Sequence, residues 1–196
     1  MRIKLRLEKN YSTYYDLLPK TGTILDLGCG YGFMCYMLHF RSSEQTIIGV
    51  DYDEEKIETA AHAYLKSARL QFHQADVLQF PLDAYSGIVL SDVLHYLKPS
   101  EQEDLLNRCC SALLPGGVLI IRNGNIDLKE RHKGTQLTEF FSTKVLKFNK
   151  STHALNFLSA KRISQLVELH GLTVEIEDNS RLTSNVLMIL KKNEVV

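Results

Sequence analysis

The sequence predicts an α/β protein built on a mostly parallel sheet with helices on both faces. Three observations predict it. Apolar, β-rich runs alternate with helix-patterned runs along most of the 196 residues, and strand–helix–strand repetition implies right-handed crossovers. Runs such as "TILDL", "TIIGV" and "GIVLS" show little polar alternation, as strands buried on both faces do. The last two apolar runs lie about eight residues apart. A parallel crossover needs roughly a dozen, so this pair is expected to be an antiparallel hairpin or near neighbour.

The elements follow in order. Met1–Lys20, with Tyr11, Tyr14 and Tyr15, precedes the first strand, Thr23–Leu27. Three glycines separate that strand from a helix at Phe33–Phe40. The second strand, Thr46–Asp51, ends on an acid; Asp53 then suits an N-cap, with Glu54 and Glu55 in the first turn of a helix over Glu54–Lys66. Strands are predicted at Leu70–Gln74 and Ser86–Ser91, a helix at Glu101–Leu114 and a strand at Gly117–Arg122. Asn123–Phe157 breaks the rhythm, with about 35 residues where connections of roughly 2–6 are usual. It leaves the carboxyl end of a parallel strand, over the place where such sheets bind ligands. A helix at Ala160–His170 and strands at Thr173–Glu177 and Val186–Leu190 complete the series.

One domain over 1–196 is expected, with 1–20 as an N-terminal lid and 123–157 as a substrate-side insertion. A chain of this size buries roughly 70% of its unfolded surface and needs no staple. The composition, 44% hydrophobic and 23% charged with 11 Gly and 4 Pro, excludes disordered, collagen-like and low-complexity chains. Lys+Arg and Asp+Glu are 23 each. The missing basic excess argues against a nucleic-acid partner. Cys29, Cys35, Cys109 and Cys110 make no C-x-x-C pair. They are expected to be reduced thiols of a cytoplasmic protein with no metal site. Residues 1–10 are charged and lack the apolar run of a secretory signal.

The informative segment is "ILDLGCGYGF", Ile24–Phe33. Gly28, Gly30 and Gly32 follow an apolar strand and open a helix, so the turn can be tight and a ligand can approach the backbone. The free N–H groups of the helix start suit an anionic group. The spacing is G-x-G-x-G, whereas a dinucleotide fingerprint is G-x-G-x-x-G. Asp26, just before the turn, would repel a pyrophosphate and attract an ammonium group.

"LDLGCGYG" resembles the glycine-rich motif of class I S-adenosylmethionine-dependent methyltransferases. Four further features fall in the family's order. "IIGVDYDEEKIETA" supplies Asp51, 23 residues beyond Gly28, and Tyr52; "FHQADVLQFP" supplies Asp76 and Val77; "IVLSDVLHYL" supplies Ser91, Asp92, His95 and Tyr96; "LLPGGVLII" matches the turn into the fifth strand. The resemblance spans Ile24 to Ile121, and the terminal strand pair also fits. It implies a three-layer, Rossmann-like, seven-stranded sheet with an antiparallel C-terminal strand. It implies S-adenosylmethionine as cofactor and S-adenosylhomocysteine as product. In the implied cofactor site Asp51 holds the ribose hydroxyls and Tyr52 packs on the adenine. Asp76 lies near the adenine amine with Val77 beside it, and Asp26 meets the amino group. Gly28, Cys29, Gly30 and Gly32 lend the loop backbone, and Ser91 joins the cofactor site from the end of the fourth strand.

Blander readings stand beside these: a structural turn for the glycines, a backbone-capping loop acid for Asp76, and a small buried residue for Cys29. His95 follows the fourth strand, near where the methyl group points, and is the candidate general base or a pocket wall. Tyr11, Tyr14, Tyr15, Asp92, His95, Tyr96 and Asn123 are the candidate substrate pocket, although the tyrosines would equally staple the first helix to the body. His132 and His153 lie in the insertion, whose six Lys/Arg, three acids and four Phe suit either an acidic or amphipathic substrate or a solvated face.

Methyl transfer needs alignment of nucleophile, methyl carbon and sulfur more than a dedicated base. The segment after the fourth strand reads "SDVLHY". The Asn/Asp-Pro-Pro-Tyr tetrapeptide that the family's nucleobase and glutamine methyltransferases carry there is missing. The resemblance therefore implies a small-molecule or lipid-like acceptor. A short lid fits a carrier-borne or membrane-borne substrate, or a partner, second subunit or fused neighbour covering the site. The rival readings are an aminopropyl-type transferase on the same fold, a non-catalytic S-adenosylmethionine-binding scaffold, and a nicotinamide oxidoreductase, which the glycine spacing disfavours.

Overall fold

The computed structural model describes residues 11–62, 67–125, 155–178 and 185–194. Its elements, in chain order, are α1 (Tyr11–Leu17), β1 (Gly22–Leu27), α2 (Phe33–Arg41), β2 (Gln45–Asp51), α3 (Glu54–Ala61), β3 (Leu70–Gln74) and β4 (Tyr85–Ser91). A 3-10 turn (Leu94–Tyr96), α4 (Pro99–Ala112), β5 (Leu113–Gly124), α5 (Ala160–Glu168), β6 (Leu172–Glu177) and β7 (Asn185–Lys192) follow. The seven strands form one sheet in the order β3-β2-β1-β4-β5-β7-β6.

β1 is parallel to both β2 and β4, and the parallel ladder extends to β3 on one side and β5 on the other. β7 is antiparallel to both β5 and β6, so it alone runs against the rest. The short connection between the last two strands forced this: β6 and β7 pair antiparallel, and β7 docks between β6 and β5. The ligand side of such a sheet is the carboxyl edge of β1–β5.

The continuous apolar strands account for two cores, one per face. One holds Leu25, Leu27, Ile88, Leu90, Leu119 and Ile121 against Leu105, Leu106 and Cys109 of α4 and Ile163, Leu166 and Val167 of α5. The other holds Ile24, Ile47, Val89, Val118 and Ile120 against Met34, Cys35 and Leu38 of α2 and Tyr14 and Leu18 beside them. Each large aliphatic side chain buried this way contributes about 1.5–3 kcal/mol.

Element boundaries moved for local reasons. Pro99 takes the first turn of α4, two residues before the expected start, and a capping box joins Lys98 and Glu101. The helix stops at Ala112 because Leu113 is already extended. β5 gains residues at its start through an irregularity: Tyr85 pairs with Leu113, and the next pair is Gly87 with Val118. α5 ends at Glu168, earlier than expected, and leaves Leu169 84% exposed. Residues 63–66 of the helix expected over Glu54–Lys66, and 126–154 of the insertion with His132 and His153, lie outside the described residues, as do 1–10 of the lid. The described part of the lid is sheet cover: Tyr14 and Leu18 are each 2% exposed.

Candidate functional site

The carboxyl ends of β1 and β2 meet through backbone hydrogen bonds. The amides of Gly28 and Cys29 both donate to the Val50 carbonyl, at 2.7 and 2.9 Å. Gly28, Gly30 and Gly32 take φ of 79°, 56° and 71°, a region side chains resist. Two of the three are also locked by packing. A Cβ on Gly28 would meet Val93 Cγ2 at 2.3 Å, and one on Gly32 would meet Phe72 Cε1 at 2.5 Å. Gly30 differs, because nothing lies within 4 Å of where its Cβ would stand. The middle of the loop therefore faces open space, which is the room a ligand needs.

Asp51 organises this loop. Its carboxylate is nearly buried, at 5% exposed. Oδ2 accepts the Gly30 amide at 2.9 Å and Oδ1 the Asp53 amide at 3.0 Å, while its carbonyl takes the Ala75 amide. One acid thus ties the glycine loop, the start of α3 and the end of β3. Each oxygen keeps acceptor capacity for a hydroxyl. Asp53 is the N-cap of α3 by position, but its side chain makes no capping hydrogen bond.

Asp26 is 3% exposed and accepts from the Cys35 thiol at 3.4 Å. The Cys35 thiol is pushed well above its ordinary pKa by burial, then by the neighbouring Cys29 and Asp26. Cys29 is drawn down by its contact with Cys35, yet burial and the charges of Asp26 and Asp51 leave it raised. Neither thiol is poised as a nucleophile. The Cys29 amide is taken up by the Val50 carbonyl.

Tyr52 stands 49% exposed after β2, with its carbonyl held by Gln74. Asp76 is exposed and caps its own turn, Oδ1 accepting the Leu78 amide at 2.9 Å. Val77 packs into the core. Tyr31, which sequence reasoning passed over, is 50% exposed in the glycine loop itself; its place between two glycines was the available signal.

Across the sheet, Tyr14 and Ser91 put their hydroxyl oxygens 3.4 Å apart, which brings α1 to the carboxyl end of β4. Tyr15 does not join them. Its hydroxyl donates to the Arg41 carbonyl at 3.0 Å, and the Lys20 ammonium lies 4.0 Å from its ring centroid. Arg41 ends α2, at the opposite edge of the sheet, so Tyr15 staples the helix to the body. Tyr11 lies in α1, and its side chain is outside the described residues.

His95 and Asn123 are both buried. They are 1% and 2% exposed, with His95 Nδ1 2.8 Å from Asn123 Oδ1. The His95 ring stacks on Phe157, centroids 5.2 Å apart, and its carbonyl takes the Asn156 amide. Tyr96 packs on the same ring at 4.3 Å. Burial of this kind removes the ring from the role of an exposed base. Gln102, fully buried, donates to the carbonyls of Leu97 and Asn156 and fastens the segment 155–158 there. Asp92 pairs with Arg122 of β5. Arg122 was not among the expected site residues, although it is the one charge in the apolar run "LIIRNG". Among the described residues, no cluster of His, Cys, Asp or Glu is placed to hold a metal, and no helix is long and apolar enough to cross a membrane.

Residues 24–117 match the model of the methyltransferase domain family. Among curated relatives, the carboxy-S-adenosyl-L-methionine synthase of Campylobacter fetus subsp. fetus is 29% identical over 121 residues, covering 60% of this chain and 48% of that protein. The synthase of the same name from Pseudomonas aeruginosa is 33% identical over 107 residues, covering 50% and 44%. The matches thus span about half the length of these relatives. An O-methyltransferase family protein of Burkholderia thailandensis superposes with a TM-score of 0.74 at 21% identity, covering 98% of this chain and 58% of that one. A SAM-dependent methyltransferase of Archaeoglobus fulgidus gives 0.71 at 18% identity, covering 95% and 93%. At these identities the structures speak for the fold.

Proposed function

We propose, because this chain belongs to the class I S-adenosylmethionine-dependent methyltransferase family, that it transfers a methyl group from that cofactor to a small-molecule or lipid-like acceptor. The observation that carries the reading is Asp51, whose two oxygens hold the Gly30 and Asp53 amides and keep acceptor capacity toward the open space at Gly30. When bound, S-adenosylmethionine supplies a methyl carbon already activated by its sulfonium. The residues present fit it. Asp51 would take the ribose hydroxyls and Tyr52 and Val77 would flank the adenine. The uncapped side of Asp76 would take the adenine amine, and Asp26 would face the amino group.

What remains for the protein is alignment and exclusion of water. Alignment alone supplies roughly 7–11 kcal/mol of a displacement barrier. Such a reaction needs no dedicated base when the acceptor is already a good nucleophile, which agrees with a buried His95. The free thiols Cys29, Cys35, Cys109 and Cys110 suit a reducing compartment such as the cytoplasm. A carrier-borne or membrane-borne acceptor, and a partner or fused domain covering the site, remain part of this proposal.

A second reading is favoured by the names of the curated relatives: formation of a carboxylated S-adenosylmethionine. One experiment addresses both. Calorimetry with S-adenosylhomocysteine should give micromolar binding that Asp51→Ala weakens by roughly tenfold or more, the scale of hydrogen bonds to a charged group. No binding to the wild type would sink both readings. Mass spectrometry of the recovered cofactor then separates them, since only the second adds a carboxyl group to it.

A further inference from the structure

The connection from β3 to β4 runs from Ala75 to Ala84 without a helix or strand. It opens on Asp76 and Val77, the residues assigned to the adenine. Surface connections of this kind are ordinarily the mobile part of a fold, yet this one is closed on itself. The Asp76 carbonyl accepts the Gln79 and Phe80 amides, both at 2.9 Å, and Asp76 Oδ1 accepts the Leu78 amide at 2.9 Å. The turn thus uses its amides inward. The carbonyls of Leu78 and Phe80 have no ladder or helix to serve them and need another donor.

One side chain supplies it. Arg108 of α4 donates from Nη1 to the Leu78 carbonyl at 2.7 Å and from Nη2 to the Phe80 carbonyl at 2.6 Å. Hydrogen bonds from an ionised donor at this length are the strong ones, and the planar fork fixes the two carbonyls relative to each other. Val77 is 8% exposed and packs into the core on the face of the sheet that α4 covers. The turn is therefore anchored to one body through Val77 and Arg108, while the Asp76 side chain stands exposed at its start. Movement of Leu78 and Phe80 would carry Asp76 with it, because their amides are bonded to Asp76.

Resting on the methyltransferase reading and on its use of Asp76, we propose that Arg108 is a positioning residue of the cofactor site. It holds the turn that aims Asp76 at the adenine amine. It thereby sets the preference for adenine over a base that carries a carbonyl at that position. The carboxylate accepts from an amine and repels a carbonyl oxygen, but only while it is held in place.

The test compares two ligands by calorimetry: S-adenosylhomocysteine, and S-inosylhomocysteine, in which a carbonyl replaces the adenine amine. Wild-type protein should prefer the first by about tenfold or more, as for a hydrogen bond to a charged group. Arg108→Ala should cut that preference to about threefold or less, chiefly by weakening the adenine ligand. Asp76→Ala should do the same, and adding Arg108→Ala to it should change the ratio no further, since the two act as one unit. Arg108 lines a surface cleft with Asp83, Asn107 and Ser111, so its truncation admits water instead of leaving a dry void. If Arg108→Ala nevertheless fails to fold, Arg108→Lys carries the comparison. It keeps the charge and the aliphatic stem but loses the fork, and the preference should still fall. Equal losses for both ligands, or an unchanged ratio, would overturn the proposal and leave Arg108 a staple of the fold. A wild type that binds both ligands equally would overturn it through Asp76, with the cofactor reading intact. If neither ligand binds the wild type, the methyltransferase reading fails first and this proposal falls with it.

Discussion

Single residues decide the loop. Gly30 and Gly32 share a left-handed backbone but not a role, since Gly32 is walled by Phe72 and Gly30 faces space. Gly32→Ala should therefore lower thermal stability, by about 1–3 kcal/mol for an overpacked site. Gly30→Ala should destabilise less, yet lose more affinity for S-adenosylhomocysteine. Melting curves and calorimetry on the two variants check this, and the reverse ranking would contradict the assignment. The glycine spacing and Asp51 were legible in the sequence because chemistry fixes residue types at a turn. Tyr15 and His95 were not. Whether a tyrosine faces the site or the far end of α2, and whether a histidine is surface or wall, depends on packing that sequence order does not encode. Arg122 sits between: a charge in an apolar strand is visible, but its partner is not.

Among the elements, α4 and α5 are joined across their exposed faces by Arg162 and Glu103, with Nε–Oε1 at 2.9 Å and Nη2–Oε2 at 3.0 Å. The guanidinium's hydrogen bonds hold the Glu103 carboxyl below its ordinary value of 4.5. The folded pKa is depressed, so the pair's contribution is present above the unfolded value and is lost as pH falls through the folded one. Glu103→Gln should therefore make the melting temperature fall less steeply than in the wild type below about pH 4.5. Parallel acid limbs would show that solvent screens the pair out. The helices and strands themselves were largely readable, since period and apolar continuity set them. Their ends shifted where Pro99 starts a helix early and where the strand irregularity before Val118 lengthens β5.

On the scale of the whole molecule, stability converges on β7. Val186, Leu187, Met188, Ile189 and Leu190 are each at most 4% exposed, so both faces of the strand are core. Burial of five such side chains amounts to roughly 7–15 kcal/mol, comparable with the whole stability of a domain at about 5–15 kcal/mol. A chain ending at residue 184 should show no cooperative melting and no S-adenosylhomocysteine binding. A cooperative transition in that variant would mean that β1–β5 close a core without β7. That the last two strands pair antiparallel followed from loop length alone. That the later one lies inside the earlier, between β6 and β5, was not read from the sequence.

The position of β7 also has a meaning in time. β5 ends at Gly124 and β7 begins at Asn185, so about 60 residues must be made between a strand and its neighbour. At roughly 5–20 residues per second, the ribosome holds the free edge of β5 open for some 3–12 seconds. During that interval the nascent sheet offers an unpaired apolar edge to any other strand nearby.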